Sequence, residues 1–160
     1  MTNYTADFCD EHPDSVSVLA PGLTNYGGAA MCEGEVVTIK LDRHNADLIS
    51  LLRDENGSGK VVVVDAQQEY FAIVGEKLMY FAKANNYAGI ILNGYIRDTY
   101  QIKDIPVALF ALGTCPKRYT EQVTKGQRDV PLNFSGVDFQ PGDYVYADTD
   151  GIIVAPKALS

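Results

Sequence analysis

The 160-residue chain is 46% hydrophobic and 21% charged, an ordinary globular composition with enough length to bury one core. Thirteen basic side chains against 21 acidic ones give a formal charge of -8, which repels phosphate backbones and argues against direct nucleic-acid binding. Apolar runs such as Val107 to Leu112 are far too short to span a bilayer, so no membrane partner is expected.

The opening segment from Met1 to Phe8 has no basic region followed by an apolar stretch, and a cytoplasmic location is expected. Cys9, Cys32 and Cys115 are odd in number, widely spaced and without a CxxC clip, which points to free thiols in a reducing compartment. The two histidines, His12 and His44, show no ligand spacing and no link to a cysteine.

Glu35 to Lys40 is β-branched, lies between Gly34 and Asp42, and reads as a strand. From Asn45 to Arg53 the positions Ala46, Leu48, Ile49, Leu51 and Leu52 fall on one broad helical face. Asn56-Gly-Ser-Gly59 breaks that helix, and Val61 to Val64 follows as a strand buried on both faces, ending at Asp65. Gly75 opens a helix over Glu76 to Ala84, stopped by Asn85-Asn86. Ala88 to Leu92 is a second continuous apolar strand and leads directly into Asn93-Gly-Tyr-Ile-Arg-Asp98.

Ile105 to Leu112 supplies a further strand, with Pro106 near its start, where a missing donor is tolerated. Lys117-Arg118 reads as a surface turn that could face a ligand in an assembly. Asp143 to Ala147 and Gly151 to Ala155 form a hairpin through Asp148-Thr-Asp-Gly, and their spacing does not match a calcium loop. The ten tyrosines are scattered and suit packing rather than base stacking. A strand–helix–strand centre with β-rich flanks predicts a mixed α/β architecture.

Two places in this pattern can carry chemistry. The helix beginning at Gly75 to Leu78 offers backbone N–H groups without intrahelical partners, which can hold a carboxylate. The segment Gly94 to Asp98 follows a buried strand. If the two central strands are parallel neighbours, both features share one sheet edge, where open α/β sheets bind ligands. Arg97 can grip a carboxylate bidentately, and Asp98 can hold magnesium or manganese to polarise a 2-oxo group. An Arg–Asp pair alone is usually a surface turn, and its neighbours decide its meaning.

Those neighbours are Thr24-Asn-Tyr-Gly-Gly28, Gly59-Lys-Val-Val-Val-Val-Asp65, Asn93-Gly-Tyr-Ile-Arg-Asp98, Val130-Pro-Leu-Asn-Phe134 and Pro141-Gly-Asp-Tyr-Val-Tyr-Ala-Asp148 with Gly151. In this order the chain resembles the RraA-like family, which joins the regulators of ribonuclease activity A and the class II 4-hydroxy-4-methyl-2-oxoglutarate aldolases.

The resemblance implies a single swivelling-domain-like β/β/α domain over residues 1–160, assembled as a homotrimer or a dimer of trimers. It implies that backbone amides of Gly75, Glu76, Lys77 and Leu78 bind a small 2-oxo acid. Arg97 then contacts substrate and Asp98 binds a divalent cation, Mg²⁺ or Mn²⁺. The expected reactions are cleavage of 4-hydroxy-4-methyl-2-oxoglutarate into two pyruvates and decarboxylation of oxaloacetate. The alternative is a non-catalytic regulator that inhibits an RNase E-type endonuclease through its acidic surface. The chain departs from the aldolase pattern at Gln101, where a second acid stands, with Asp104 as a candidate substitute. It departs again at Ala66-Gln67-Gln68, which replaces a glycine-rich turn, and at Glu76, where aspartate is common. No GxGxxG follows a strand, so methyltransferase activity is not expected.

Overall fold

A computed structural model describes residues 4–159; residues 1–3, where the opening segment begins, and Ser160 lie outside the described residues. The chain starts with α1 (Thr5–Glu11), β1 (Ser17–Val18), β2 (Thr24–Asn25) and β3 (Cys32–Lys40). The centre runs α2 (Ala46–Asp54), β4 (Lys60–Asp65), β5 (Ala72–Val74), α3 (Glu76–Ala84), β6 (Gly89–Asn93), β7 (Tyr95–Ile96), α4 (Thr99–Ile102), β8 (Ala108–Ala111) and β9 (Gly113–Thr114). The last part holds β10 (Gln127–Arg128), β11 (Leu132–Phe134), β12 (Val137–Phe139), β13 (Tyr144–Ala147) and β14 (Ile152–Ala155).

The main sheet has the order β1-β14-β13-β3-β4-β6-β8-β2, with β10 paired to β3. Its centre, β3-β4-β6-β8, is parallel, and its flanks are antiparallel. The expected pairing of the two valine- and isoleucine-rich strands is present: Val61 to Asp65 runs beside Gly89 to Asn93. The helical reading at 76–84 and the C-terminal hairpin also match.

Burial on both faces explains why β4 is apolar throughout. Val62 and Val64 pack with Leu48, Leu52 and Met79 on the helical side, and Val61 and Val63 pack with Phe134 and Phe139 on the other. Each fully buried side chain of this size stabilises the fold by roughly 1.5–3 kcal/mol before entropy is counted.

A second, three-stranded parallel sheet, β5-β7-β9, was not foreseen in the sequence. Each of β4, β6 and β8 runs on into one of its strands. The segment from Gly94 to Asp98 therefore includes β7, and Arg97 N–H donates to Val74 O at 3.0 Å. The small sheet carries the ends of β5 and β7 to the same place, and α3 and α4 start there.

At the sheet's far edge α1 is pinned by Asp148. This buried carboxylate accepts Thr5 N–H at 2.8 Å, the Thr5 hydroxyl at 2.9 Å and Asp150 N–H at 2.9 Å. Phe8 then stacks on Tyr146 with ring centroids 4.5 Å apart. These partners account for Asp148 without any bound ion. Cys32 and Cys115 are buried, and Cys9 is half-buried. Burial, and then Glu33, pushes the Cys32 thiol up to about 12, so it stays protonated and inert. Among the described residues no helix is long and apolar enough to cross a membrane.

Candidate active site

The pocket at the end of the small sheet has a volume of about 280 Å³. All six residues singled out in the sequence line it: Gly75, Glu76, Lys77, Leu78, Arg97 and Asp98. Asn45, at the start of α2, closes one side, and its side-chain amide donates to Ile73 O at 2.7 Å. Arg118, read in the sequence as part of a surface turn that could face a ligand in an assembly, also lines the pocket.

Gly75 is the N-cap of α3, with extended backbone at φ -135 and ψ -164. The first intrahelical hydrogen bond runs from Met79 N–H to Gly75 O at 3.2 Å. The three N–H groups before it, on Glu76, Lys77 and Leu78, have no intrahelical acceptor. The expectation that all of them face a ligand needs a correction. Glu76 N–H already donates to Asp98 Oδ2 at 2.9 Å, so of these three groups the Lys77 and Leu78 amides are left for a substrate carboxylate.

Asp98, two residues past β7, stands in the left-handed region at φ 64 and ψ 36 and is itself the N-cap of α4. This backbone turns its carboxylate back toward α3. Glycine at position 75 is what permits the approach: a Cβ there would stand 2.6 Å from Asp98 Oδ2 and 3.5 Å from Arg97 Cγ. Arg97 is half-buried, and its Nη1 donates to Pro116 O at 3.3 Å, which holds the guanidinium beside the pocket. Neither Arg97 nor Arg118 forms an ion pair among the described residues.

The lining thus brings together three cationic side chains, Lys77, Arg97 and Arg118, against two carboxylates, Glu76 and Asp98. An acidic protein presents a locally positive pocket, and the α3 N-terminus adds to it. A larger cleft of about 680 Å³ lies between the β1–β2 segment and the turn at residues 148–151. No lysine, arginine or histidine lines it, so it offers an organic acid no cationic side chain.

For a divalent cation, Asp98 fits as a single protein ligand. Its Oδ2 takes the Glu76 amide, and no donor among the described residues engages its Oδ1. Among the described residues, no group of three or more His, Cys, Asp or Glu side chains converges. The remaining coordination would come from water and substrate, a pattern suited to Mg²⁺, which keeps much of its hydration.

The departures from the aldolase pattern are also located. Asp104 points away, ion-paired with Lys103 at 3.6 Å and largely exposed, and does not line the pocket. Gln101 is exposed on α4. Gln67 and Gln68, both at positive φ, lie elsewhere: Gln67 Nε2 donates to Leu41 O at 2.8 Å, and Gln68 Nε2 donates to Asn93 Oδ1 at 3.3 Å. They do not narrow the pocket. Asp65 accepts from Asn93 Nδ2 at 2.9 Å and ties the ends of β4 and β6 together.

Comparison with known proteins agrees with this architecture. Residues 5–154 match the family described as RraA-like, Aldolase/RraA. A protein of Ectopseudomonas mendocina, provisionally named a 4-hydroxy-4-methyl-2-oxoglutarate aldolase, is 41% identical over 161 residues, covering 100% of this chain and 98% of its own. One of Laribacter hongkongensis with the same provisional name is 38% identical over 160 residues, covering 99% of each chain. The crystal structure of an S-adenosylmethionine:2-dimethylmenaquinone methyltransferase from Geobacillus kaustophilus superimposes with a TM-score of 0.93 at 38% identity, covering 98% of this chain and 97% of that one. The structure of the RNA-processing inhibitor RraA from Thermus thermophilis also gives 0.93, at 33% identity, with 100% and 96% coverage. With the mixed α/β fold, the family match and these relatives in agreement, the chain belongs to the RraA-like family.

Proposed function

We propose that this protein is a divalent-metal-dependent lyase that cleaves 4-hydroxy-4-methyl-2-oxoglutarate into two pyruvates and decarboxylates oxaloacetate. The provisional aldolase names of its relatives support an aldolase-type enzyme, although the same fold also carries other names. The observation that carries the reading is the Asp98 carboxylate beside Arg97, bound to the Glu76 amide in a positively charged pocket that Lys77 and Leu78 also line.

In this reading the two amides and the α3 dipole bind the 1-carboxylate. Arg97, steadied by Pro116 O, orients the 2-oxo group and offsets the negative charge that develops on it. Asp98 would hold the cation through Oδ1, and the bound cation would supply Lewis-acid polarisation of the 2-oxo oxygen. In oxaloacetate the C3–C4 bond breaks, CO₂ leaves, and the electron pair enters the C2–C3 enolate, which takes a proton from solvent to give pyruvate. In 4-hydroxy-4-methyl-2-oxoglutarate the C4 hydroxyl gives its proton to water as C3–C4 breaks and the electron pair enters the C2–C3 enolate. C4 becomes the ketone of one pyruvate, and the enolate is protonated to give the other.

The test is pyruvate release from oxaloacetate with Mg²⁺, with EDTA, and by Asp98→Ala. The expected order is high, near zero, near zero; equal rates in all three would remove the enzyme reading. We extend the proposal to a trimeric ring or a dimer of trimers, which light scattering on the purified chain checks.

A second reading, inhibition of an RNase E-type endonuclease, draws support from the charge of -8 and from the likeness to an RNA-processing inhibitor. A pull-down with that endonuclease over a salt series separates the two, and no binding at low salt would exclude it.

A further inference from the structure

Arg118 belongs to the pocket by geometry although 20 residues separate it from Arg97. Its backbone is tethered on both sides. Upstream, Cys115 N–H donates to Ile96 O at 2.9 Å, Arg97 Nη1 donates to Pro116 O, and Ala72 N–H donates to Lys117 O at 2.7 Å. The chain from β9 to Lys117 is therefore laid along β5 and β7. Downstream, Tyr119 is buried, edge-on to Phe71 with centroids 5.2 Å apart, and lies under the Arg43 guanidinium at 5.1 Å. An exposed arginine between two such anchors stays at the pocket mouth. It forms no ion pair among the described residues, so its charge is available.

The α3 amides and Arg97 suffice for a 2-oxo monocarboxylate. A second guanidinium in a chain of net charge -8 has a different use. We infer that Arg118 is the specificity-determining residue that binds the distal carboxylate of the substrate and so selects dicarboxylic over monocarboxylic 2-oxo acids. The pocket volume of about 280 Å³ lies just below the range of roughly 300–1,000 Å³ typical for drug-sized ligands, which suits a short-chain diacid. The inference rests on the lyase reading for the orientation of the substrate.

The experiment compares binding of 2-oxoglutarate and 2-oxopentanoate, which share a five-carbon chain and differ in the distal carboxylate. Calorimetry in Mg²⁺ buffer is run on the wild type, Arg118→Gln, Arg118→Lys and Arg53→Gln, with kcat and KM for oxaloacetate measured in parallel. The wild type is expected to prefer the diacid by on the order of ten-fold, the lower end for a charge-assisted contact at an exposed arginine. Arg118→Gln should bring that preference close to unity and raise KM for oxaloacetate by a similar factor, with a smaller change in kcat. Arg118→Lys should retain part of the preference. Arg53→Gln removes a positive charge on α2 one turn beyond Ile49, outside the pocket lining, and should leave the preference unchanged. An unchanged preference in Arg118→Gln, with oxaloacetate still turned over by the wild type, overturns the inference and leaves the lyase reading standing. A preference that depends on Arg118 without any turnover overturns the lyase reading and keeps the subsite. Binding of neither acid overturns the inference.

Discussion

The carboxylate of Asp98 accepts the backbone N–H of Glu76 at 2.9 Å, so a residue just past β7 caps the helix that follows β5. One side chain thereby joins both halves of the pocket, and its structural and chemical roles can be separated. Asparagine keeps a cap acceptor and tolerates the left-handed backbone that Asp98 adopts at φ 64. Alanine loses the cap, at about 0.5–2 kcal/mol. Asp98→Asn should therefore melt close to the wild type and Asp98→Ala clearly below it. Both should lose Mg²⁺-dependent oxaloacetate decarboxylation by on the order of 100-fold or more, since even outer-shell changes at metal sites cost 10–100-fold. Calorimetric melting and a pyruvate assay on the same preparations check this. Full activity in Asp98→Asn would leave the carboxylate a helix cap and nothing more.

Gly75 is required by proximity rather than by a left-handed backbone. The Cβ of Gly75→Ala would meet Asp98 Oδ2 at 2.6 Å, and the short aspartate can relieve the clash only by giving up the Glu76 amide. The expected result is at least ten-fold lower turnover with only a modest drop in melting temperature, because the lost cap is worth about 1 kcal/mol. Turnover equal to the wild type would show that the carboxylate can move without consequence.

Much of this site was legible because each feature produces a pattern of its own. The valine run of β4 and the isoleucine run of β6 are long enough to signal strands buried on both faces, and α3 has helical spacing between a glycine and two asparagines. The small sheet was not legible. Its strands of two or three residues are too short for any periodicity, and β5 lies in a stretch without turn signals on both sides. Arg118 was hidden for the same reason, since its place depends on β9 pairing parallel to β7. The one available signal was a basic pair, Lys117-Arg118, in an acidic chain.

Thiol chemistry should be irrelevant to activity. Cys32 and Cys115 are buried, burial pushes the Cys32 thiol up to about 12, and burial with Asp10 and Asp148 also raises Cys9. Iodoacetamide at neutral pH should label Cys32 and Cys115 only after unfolding, and Cys9 slowly, with oxaloacetate turnover unchanged throughout. Mass spectrometry of the labelled protein beside an activity trace provides the check, and inactivation in step with labelling of any one cysteine would refute it.

Asp148 gives the fold a pH dependence whose sign follows from its partners. Burial pushes its carboxyl upward, but the hydrogen bonds from the Thr5 amide, the Asp150 amide, the Thr5 hydroxyl and the Gly151 amide outweigh it and hold the group below the usual carboxylate value. A depressed folded pKa means that the unfolded chain takes up the proton first. The stabilisation is complete above the unfolded value of about 3.9 and disappears as pH falls through the lower folded value. Removing the carboxylate orphans the Thr5 amide and hydroxyl and loosens α1, at about 1–3 kcal/mol. In urea titrations Asp148→Ala should be less stable than the wild type by that amount at pH 7 and at pH 5. The two proteins should converge below about pH 4. A gap that persists unchanged at pH 2.5 would mean that Asp148 acts through packing rather than charge.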